Sequence, residues 1–146
     1  MMYRCLIANR GEIAVRIIRA CRELNIETVA IYAKGDENSL HVSLADQAIC
    51  IGEANPLDSY LNIDRIISAA KVTESNVIHP GYGFLSESTN FAKAVEDNHI
   101  HFIGPSKTTM EMMGDKITAR QTVKQAGVPV IPVSYTHLRA HETGRN

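Results

Sequence analysis

The chain has 146 residues, which suits one α/β domain and is too short for two ordinary ones. A hydrophobic content of 45% fits a packed globular core, and a formal net charge of -1 without any block of like charge excludes a general attraction to nucleic acid or to an anionic membrane. No stretch approaches a membrane span, and the N-terminus Met-Met-Tyr-Arg-Cys-Leu-Ile-Ala enters an apolar strand directly, without the apolar core and cleavage site of a signal peptide. Cys5, Cys21 and Cys50 are odd in number, widely spaced and set in apolar runs. That usage predicts reduced, buried thiols in a cytoplasmic protein and argues against a metal site built on them.

In chain order, residues 3–8 predict a first strand, and residues 12–24 a helix with Ile13, Ile17, Cys21 and Leu24 at helical spacing. Residues 28–32 predict a second strand. A polar loop over 33–38 leads to a short helix at 40–45, and residues 48–51 predict a third strand. A helix follows at 62–71. Strands at 77–79 and 101–103, each followed by a helical pattern, continue the alternation to Gly127. Alternating strands and helices with short connections predict right-handed crossovers and an α/β fold built on an open, mostly parallel sheet with flanking helices.

In such sheets ligands bind outside the carboxyl ends of the strands. Two segments fall there, Asn9-Arg10-Gly11-Glu12 and the run Ile78-His79-Pro80-Gly81-Tyr82-Gly83-Phe84-Leu85-Ser86-Glu87. The first turn has one glycine and so lacks the G-x-G-x-x-G arrangement that seats a pyrophosphate on a helix N-terminus, which argues against a conventional dinucleotide site. In the second run His79 precedes a proline and is biased to extended geometry, so the chain leaves the sheet near Pro80. Gly81 and Gly83 permit unusual backbone angles or close approach of a ligand, with Tyr82 held between them. Glu87 stands at the start of a helical pattern formed by Phe91, Ala92 and Val95, where a carboxylate suits the unpaired amides of a first turn. Two readings stay open from the residues alone: a tight strand-to-helix turn with a capping acid, or the rim of a ligand site. No partner carboxylate is identifiable for His79, which reads as a structural histidine and not as a general base.

Arg16, Arg19, Arg22 and Glu23 form a charged helix face, with Arg19 and Glu23 at i,i+4 spacing; solvation is the usual fate of such a face. Asp115 is a candidate N-cap with Lys116 in the first turn behind it. A cation there opposes the helix dipole, so Lys116 is either a solvated lysine or a ligand-binding one. Met110, Met112 and Met113 read as core. From Val133 the pattern changes to Val-Ser-Tyr-Thr-His-Leu-Arg-Ala-His-Glu-Thr-Gly-Arg-Asn, with no apolar period. Residues 133–143 match, without a mismatch, the translation of a transposase-based sequencing adapter. Residues 133–146 are therefore expected to be an artefact, and the pair His137 and His141 is set aside as a metal motif. Without the tail the formal charge moves from -1 to -2. The genuine sequence is expected to end near Pro132, with the gene continuing beyond it.

Together with the run 78–87, three further segments carry a resemblance: Leu6-Ile7-Ala8-Asn9-Arg10-Gly11-Glu12-Ile13-Ala14, Ser59-Tyr60-Leu61-Asn62, and Phe102-Ile103-Gly104-Pro105 with Met113-Gly114-Asp115-Lys116. Residues 1–132 resemble, in unbroken order, the N-terminal domain of biotin carboxylase, the ATP-dependent subunit of acetyl-CoA carboxylase; the same module opens pyruvate and acyl-CoA carboxylases. The resemblance implies a Rossmann-like domain preceding an ATP-grasp domain. The implied reaction activates bicarbonate with ATP and carboxylates a ureido nitrogen of biotin, the first half-reaction of acetyl-CoA carboxylase in fatty acid synthesis. It implies magnesium with the ATP, biotin on a carrier protein or domain as substrate, a carboxyltransferase as a further partner, and a homodimer in the full-length parent. Residue by residue, it assigns Lys116 to ATP, Tyr82, Gly83 and Glu87 to the rim of the biotin site, and Arg16, Arg19 and Glu23 to the dimer contact.

No catalytic residue is assigned within this chain. The phosphate loop, the magnesium-holding acids and the base and arginine for bicarbonate and biotin are expected elsewhere in the parent, so the isolated chain is expected to be inactive. Two alternatives of other classes are a free-standing Rossmann-like binding or dimerisation module and a nicotinamide-linked oxidoreductase domain. The missing glycine fingerprint weighs against the latter.

Overall fold

The computed structural model describes residues 2–105. The elements run β1 (Arg4–Ile7), α1 (Gly11–Glu23), β2 (Glu27–Ala33), α2 (Leu40–Leu44), β3 (Gln47–Gly52), a 3-10 turn (Pro56–Asp58), α3 (Ile63–Val72), β4 (Val77–His79), α4 (Thr89–Asp97) and β5 (His101–Phe102). The strands form one sheet in the order β3-β2-β1-β4-β5, and every pairing is parallel. The predicted mostly parallel α/β sheet is thus observed, with each element boundary within a residue or two of the sequence pattern.

β1 is central, and its Cys5, Leu6 and Ile7 are all buried, as a strand covered on both faces requires. Alternation sorts these side chains between the layers. Cys5 and Ile7 join Ala14, Ile18, Cys21 and Val77 in one cluster beneath α1. Leu6 and Ile78, paired in register, point to the opposite face. α1 packs against α2, and α3 against α4, giving a three-layer arrangement. The inner faces of the second pair are built from Ile66, Ile67, Ala69 and Ala70 on α3 and Phe91, Ala92 and Val95 on α4. Phe91 meets Phe102 edge-on at 5.8 Å, fixing α4 against β5.

α1, α3 and α4 end in the same way, and none of them uses glycine. Asn25, Glu74 and His99 each adopt positive φ, at 58°, 57° and 59°. The following amides, of Ile26, Ser75 and Ile100, donate back to Cys21, Ala70 and Val95 at 2.9, 2.8 and 3.1 Å. These are Schellman closures, which satisfy the last carbonyls and turn the chain into the next strand.

Two expectations are corrected. Cys50 is exposed, unlike Cys5 and Cys21, because β3 is the outermost strand and no strand pairs with its outer side among the described residues. Glu87 does not cap α4: Ser88 is the N-cap, its Oγ accepting the Phe91 amide at 3.1 Å. The hydroxyl one residue later reaches the first turn with a shorter side chain, leaving Glu87 outside the helix. The predicted elements beyond residue 105, together with Lys116, the three methionines and the tail, lie outside the described residues.

Candidate functional site

The chain reverses its progress across the sheet between β1 and β4. β1 leads through α1 to β2 on one side, whereas β4 lies on the other. This is the topological switch point, where the loops leaving two adjacent strands diverge and open a crevice. Both loops singled out in the sequence, 9–12 after β1 and 80–87 after β4, sit at it.

Asn9 joins them. It is 1% exposed, and its Nδ2 donates to the Pro80 carbonyl at 3.0 Å and to the Tyr82 carbonyl at 2.8 Å, while its Oδ1 accepts the Arg10 amide at 2.8 Å. Between the two bonded carbonyls lies Gly81 at φ 66°. A Cβ on Gly81 would fall 2.7 Å from Asn9 Nδ2 and 2.8 Å from Ile13 Cγ2, so only glycine allows the loops to approach this closely. His79 completes the turn: its carbonyl accepts the Ala8 amide at 2.9 Å, and its Nδ1 accepts the Gly81 amide at 3.0 Å. With Nδ1 an acceptor, the ring is neutral and carries its proton on Nε2. Burial holds its pKa below the ordinary 6.5.

A second group buttresses the crevice from the β2 side. Fully buried Tyr60 donates from its hydroxyl to Asp36 Oδ2 at 2.7 Å and accepts the Ala33 amide at 2.9 Å, so one oxygen closes the end of β2. Burial, and then the bond to Asp36, push this phenol above its ordinary pKa of 10.0. Arg10 pairs with the same Asp36 oxygen at 3.3 Å and lies over the Tyr60 ring at 5.4 Å. Phe84 stacks on Tyr60, with ring centroids 5.4 Å apart and its backbone at φ 44°. Tyr82, by contrast, is 65% exposed and Gly83 beside it is exposed with open space around it. The turn thus anchors itself through Asn9, Gly81 and Phe84, and presents Tyr82 and Gly83 outward.

The family model for the N-terminal domain of biotin carboxylase matches residues 1–110. The chain belongs to that family. It is 57% identical over 134 residues to biotin carboxylase 1 of Bacillus subtilis, covering 92% of this chain and 30% of that protein. Pyruvate carboxylase of the same organism is 53% identical over 132 residues, covering 90% of this chain and 12% of that protein. Among solved structures, the biotin carboxylase domain dimer of Hydrogenobacter thermophilus 2-oxoglutarate carboxylase, in complex with magnesium ADP and bicarbonate, superposes with a TM-score of 0.85 at 51% identity, over 90% of this chain and 29% of that one. The chain therefore spans about 30% of the length of the biotin carboxylase relatives it matches.

Within this biotin carboxylase module the predicted site residues that are described fall in two places. Tyr82 and Gly83 come together at the switch point, with Glu87 exposed at the far end of the same turn. Arg16, Arg19 and Glu23 are exposed on α1, at i, i+3 and i+7 spacing. The i,i+4 ion pair found on that helix is Arg16 with Glu12 at 3.9 Å; Arg19 and Glu23 form none among the described residues. Arg22 is engaged rather than merely solvated, donating to the Leu44 carbonyl of α2. Lys116 lies outside the described residues.

Sequence reasoning missed Asn9 as the tie between loops, and missed Arg10, Asp36, Tyr60 and Phe84 as one group. Asn9, Arg10 and Tyr60 stood in segments that carried the resemblance, so their importance was visible but not their contacts. Asp36 had no local signal. A groove of about 480 Å³ between β3 and α3, lined by Ile49, Ile51, Asp64, Arg65, Ser68 and Val72, lies at the sheet edge, away from the switch point.

Proposed function

We propose that this chain is the N-terminal module of an ATP-dependent carboxylase that carboxylates biotin on a carrier protein or domain with bicarbonate. In that reaction bicarbonate is activated as carboxyphosphate at the expense of ATP, releasing ADP. Carboxyphosphate then yields carbon dioxide and phosphate, and a ureido nitrogen of biotin loses its proton and bonds to the carbon. The single observation that carries the reading is the location of Tyr82 and Gly83: a family turn with an exposed ring and an exposed backbone, at the one position in a parallel sheet where ligands are expected.

In this reading Tyr82, Gly83 and Glu87 rim the biotin end of the site, and Lys116 contacts ATP. Arg16, Arg19 and Glu23 contribute to a homodimer contact, for which their exposure on α1 leaves them free. Magnesium would neutralise phosphate charge on the nucleotide. The family reading assigns its ligands to other parts of the enzyme. The parent works in the cytoplasm with a biotin carboxyl carrier and a carboxyltransferase, as the carboxylase subunit of acetyl-CoA carboxylase. The 53% identity to a pyruvate carboxylase supports a second reading, in which the parent is a multidomain pyruvate carboxylase.

The test replaces the part of the Bacillus subtilis biotin carboxylase that corresponds to residues 1–105 of this chain with those residues. ATP cleavage dependent on biotin and bicarbonate is expected from this chimera and not from the 146-residue chain alone. An inactive, folded chimera would refute the functional reading. Turnover by the isolated chain would refute its inactivity.

A further inference from the structure

The orientation of two peptide units in the switch-point turn is set by one side chain. Asn9 Nδ2 has two hydrogens, and both are used, on the carbonyls of Pro80 and Tyr82. In a planar trans peptide the C=O and the following N–H point in opposite directions. Fixing the Pro80 carbonyl towards Asn9 therefore directs the Gly81 amide away, and it is found on the opposite side, donating to His79 Nδ1 at 3.0 Å. Fixing the Tyr82 carbonyl in the same way directs the Gly83 amide away from Asn9. That amide has no acceptor among the described residues, on an exposed residue with open space beside it. An N–H held outward on a rigid turn is a ready donor to a ligand oxygen.

We propose that Asn9 is a positioning residue whose carboxamide holds the Gly83 amide, and Tyr82 with it, in the orientation that the biotin end of the site requires. The inference rests on the functional reading above and deepens it. Asn9 itself touches no ligand: it is 1% exposed and fully hydrogen-bonded. The side chain must donate twice, which aspartate cannot do and serine can do once.

The chimeric carboxylase and the isolated chain test this together. In the chimera, Asn9→Ala is expected to raise the KM for biotin about tenfold with the KM for ATP unchanged, and Asn9→Ser, which keeps one donor, about threefold. A general loosening of the fold would instead move both constants or lower kcat alone. Either of those patterns, or an unchanged KM for biotin, overturns the assignment. Should Asn9→Ala fail to fold, Asn9→Ser carries the same criteria. Nitrogen-15 NMR of the isolated chain gives a readout that needs no catalysis: Asn9→Ser should shift the Tyr82 and Gly83 amides and leave those of β2 in place. Unmoved Gly83 would sink the positioning role whatever the chimera does, whereas an inactive wild-type chimera would count against the functional reading alone.

Discussion

Replacing Tyr60 by phenylalanine deletes one oxygen from the buttress of the crevice and should cost far more than its size suggests. The ring stays in place, stacked on Phe84 and beneath Arg10, so the change isolates the hydroxyl. Two hydrogen bonds go, to Asp36 at 2.7 Å and from the Ala33 amide at 2.9 Å. A bond to a charged group contributes about 1.5–3 kcal/mol, and a buried donor left without a partner costs about 1–3 kcal/mol. Asp36 recovers most of its share, since its side chain is 29% exposed and keeps Arg10. The Ala33 amide recovers little, because Ala33 is 1% exposed. The expected loss is about 2 kcal/mol, or roughly 4–12 °C in Tm for a domain of this size. Urea unfolding of the two chains, followed by circular dichroism, measures it. The pH dependence supplies an independent check. Because the folded-state pKa of Tyr60 is raised, the folded and unfolded states are both protonated below pH 10.0, and above it the unfolded state alone loses its proton. Wild-type stability should therefore fall as pH rises past about 10, and Tyr60→Phe should flatten that fall. A loss under about 0.5 kcal/mol together with an unaltered alkaline limb would refute the reasoning.

Three further outcomes are expected. Burial lowers the pKa of His79 below 6.5, so as pH falls through 6.5 the unfolded state takes up a proton first; stability should drop there, until the folded-state pKa is reached, and His79→Gln should remove this contribution in urea titrations at pH 5 and pH 8. Glu74→Gly relieves a positive φ of 57° at the end of α3 and should raise the urea midpoint by about 0.5–1 kcal/mol equivalent, less than the αL strain because glycine gains freedom when unfolded; a loss of stability would refute it. Gly81→Ala should cost about 3 kcal/mol, from αL strain plus overlap with Asn9 and Ile13, whereas Gly83→Ala, with open space around it, should cost about 1 kcal/mol or less; equal losses would contradict the described packing.

The secondary elements were legible because each one buries a stripe or both faces, and burial writes a period into the sequence. On α1 the helix itself was legible but its inner stripe was not: Ala14, Val15, Ile18 and Cys21 are buried, only Cys21 belongs to the expected stripe of Ile13, Ile17, Cys21 and Leu24, and Leu24 is exposed. What the period cannot encode is the order of strands. Cys50 was expected inside because it sits in an apolar run, and only the position of β3 at the sheet edge exposes it. Helix ends were hidden for a related reason. Asn25, Glu74 and His99 occupy the left-handed position that glycine usually marks, and the closing hydrogen bonds hold them there against local preference.

The site divides along the same line. Its location followed from the alternation of strands and helices, since a parallel sheet puts its loops at one end and two conspicuous loops were already there. Its construction did not, because the residues that build it are distant in sequence and satisfy one another only when the sheet is assembled. Asn9 meets Pro80 and Tyr82 across 71 and 73 positions, and Tyr60 meets Asp36 across 24. Of the two aromatics in the turn, composition gave no reason to prefer either for packing. Phe84, although partly exposed, takes the stacking place because its partner, Tyr60, carries its own polar group away to Asp36 and leaves an apolar ring face free. Tyr82 is thereby released to solvent on the adjoining peptide. The two glycines differ in the same sense: Gly81 is required by the chain it touches, whereas a side chain on Gly83 would meet nothing among the described residues, and its amide, unlike its carbonyl, which accepts the Ser86 amide at 3.0 Å, is left open. An outward amide without an internal acceptor is a group that a ligand oxygen can use, and it falls on the residue beside the exposed ring.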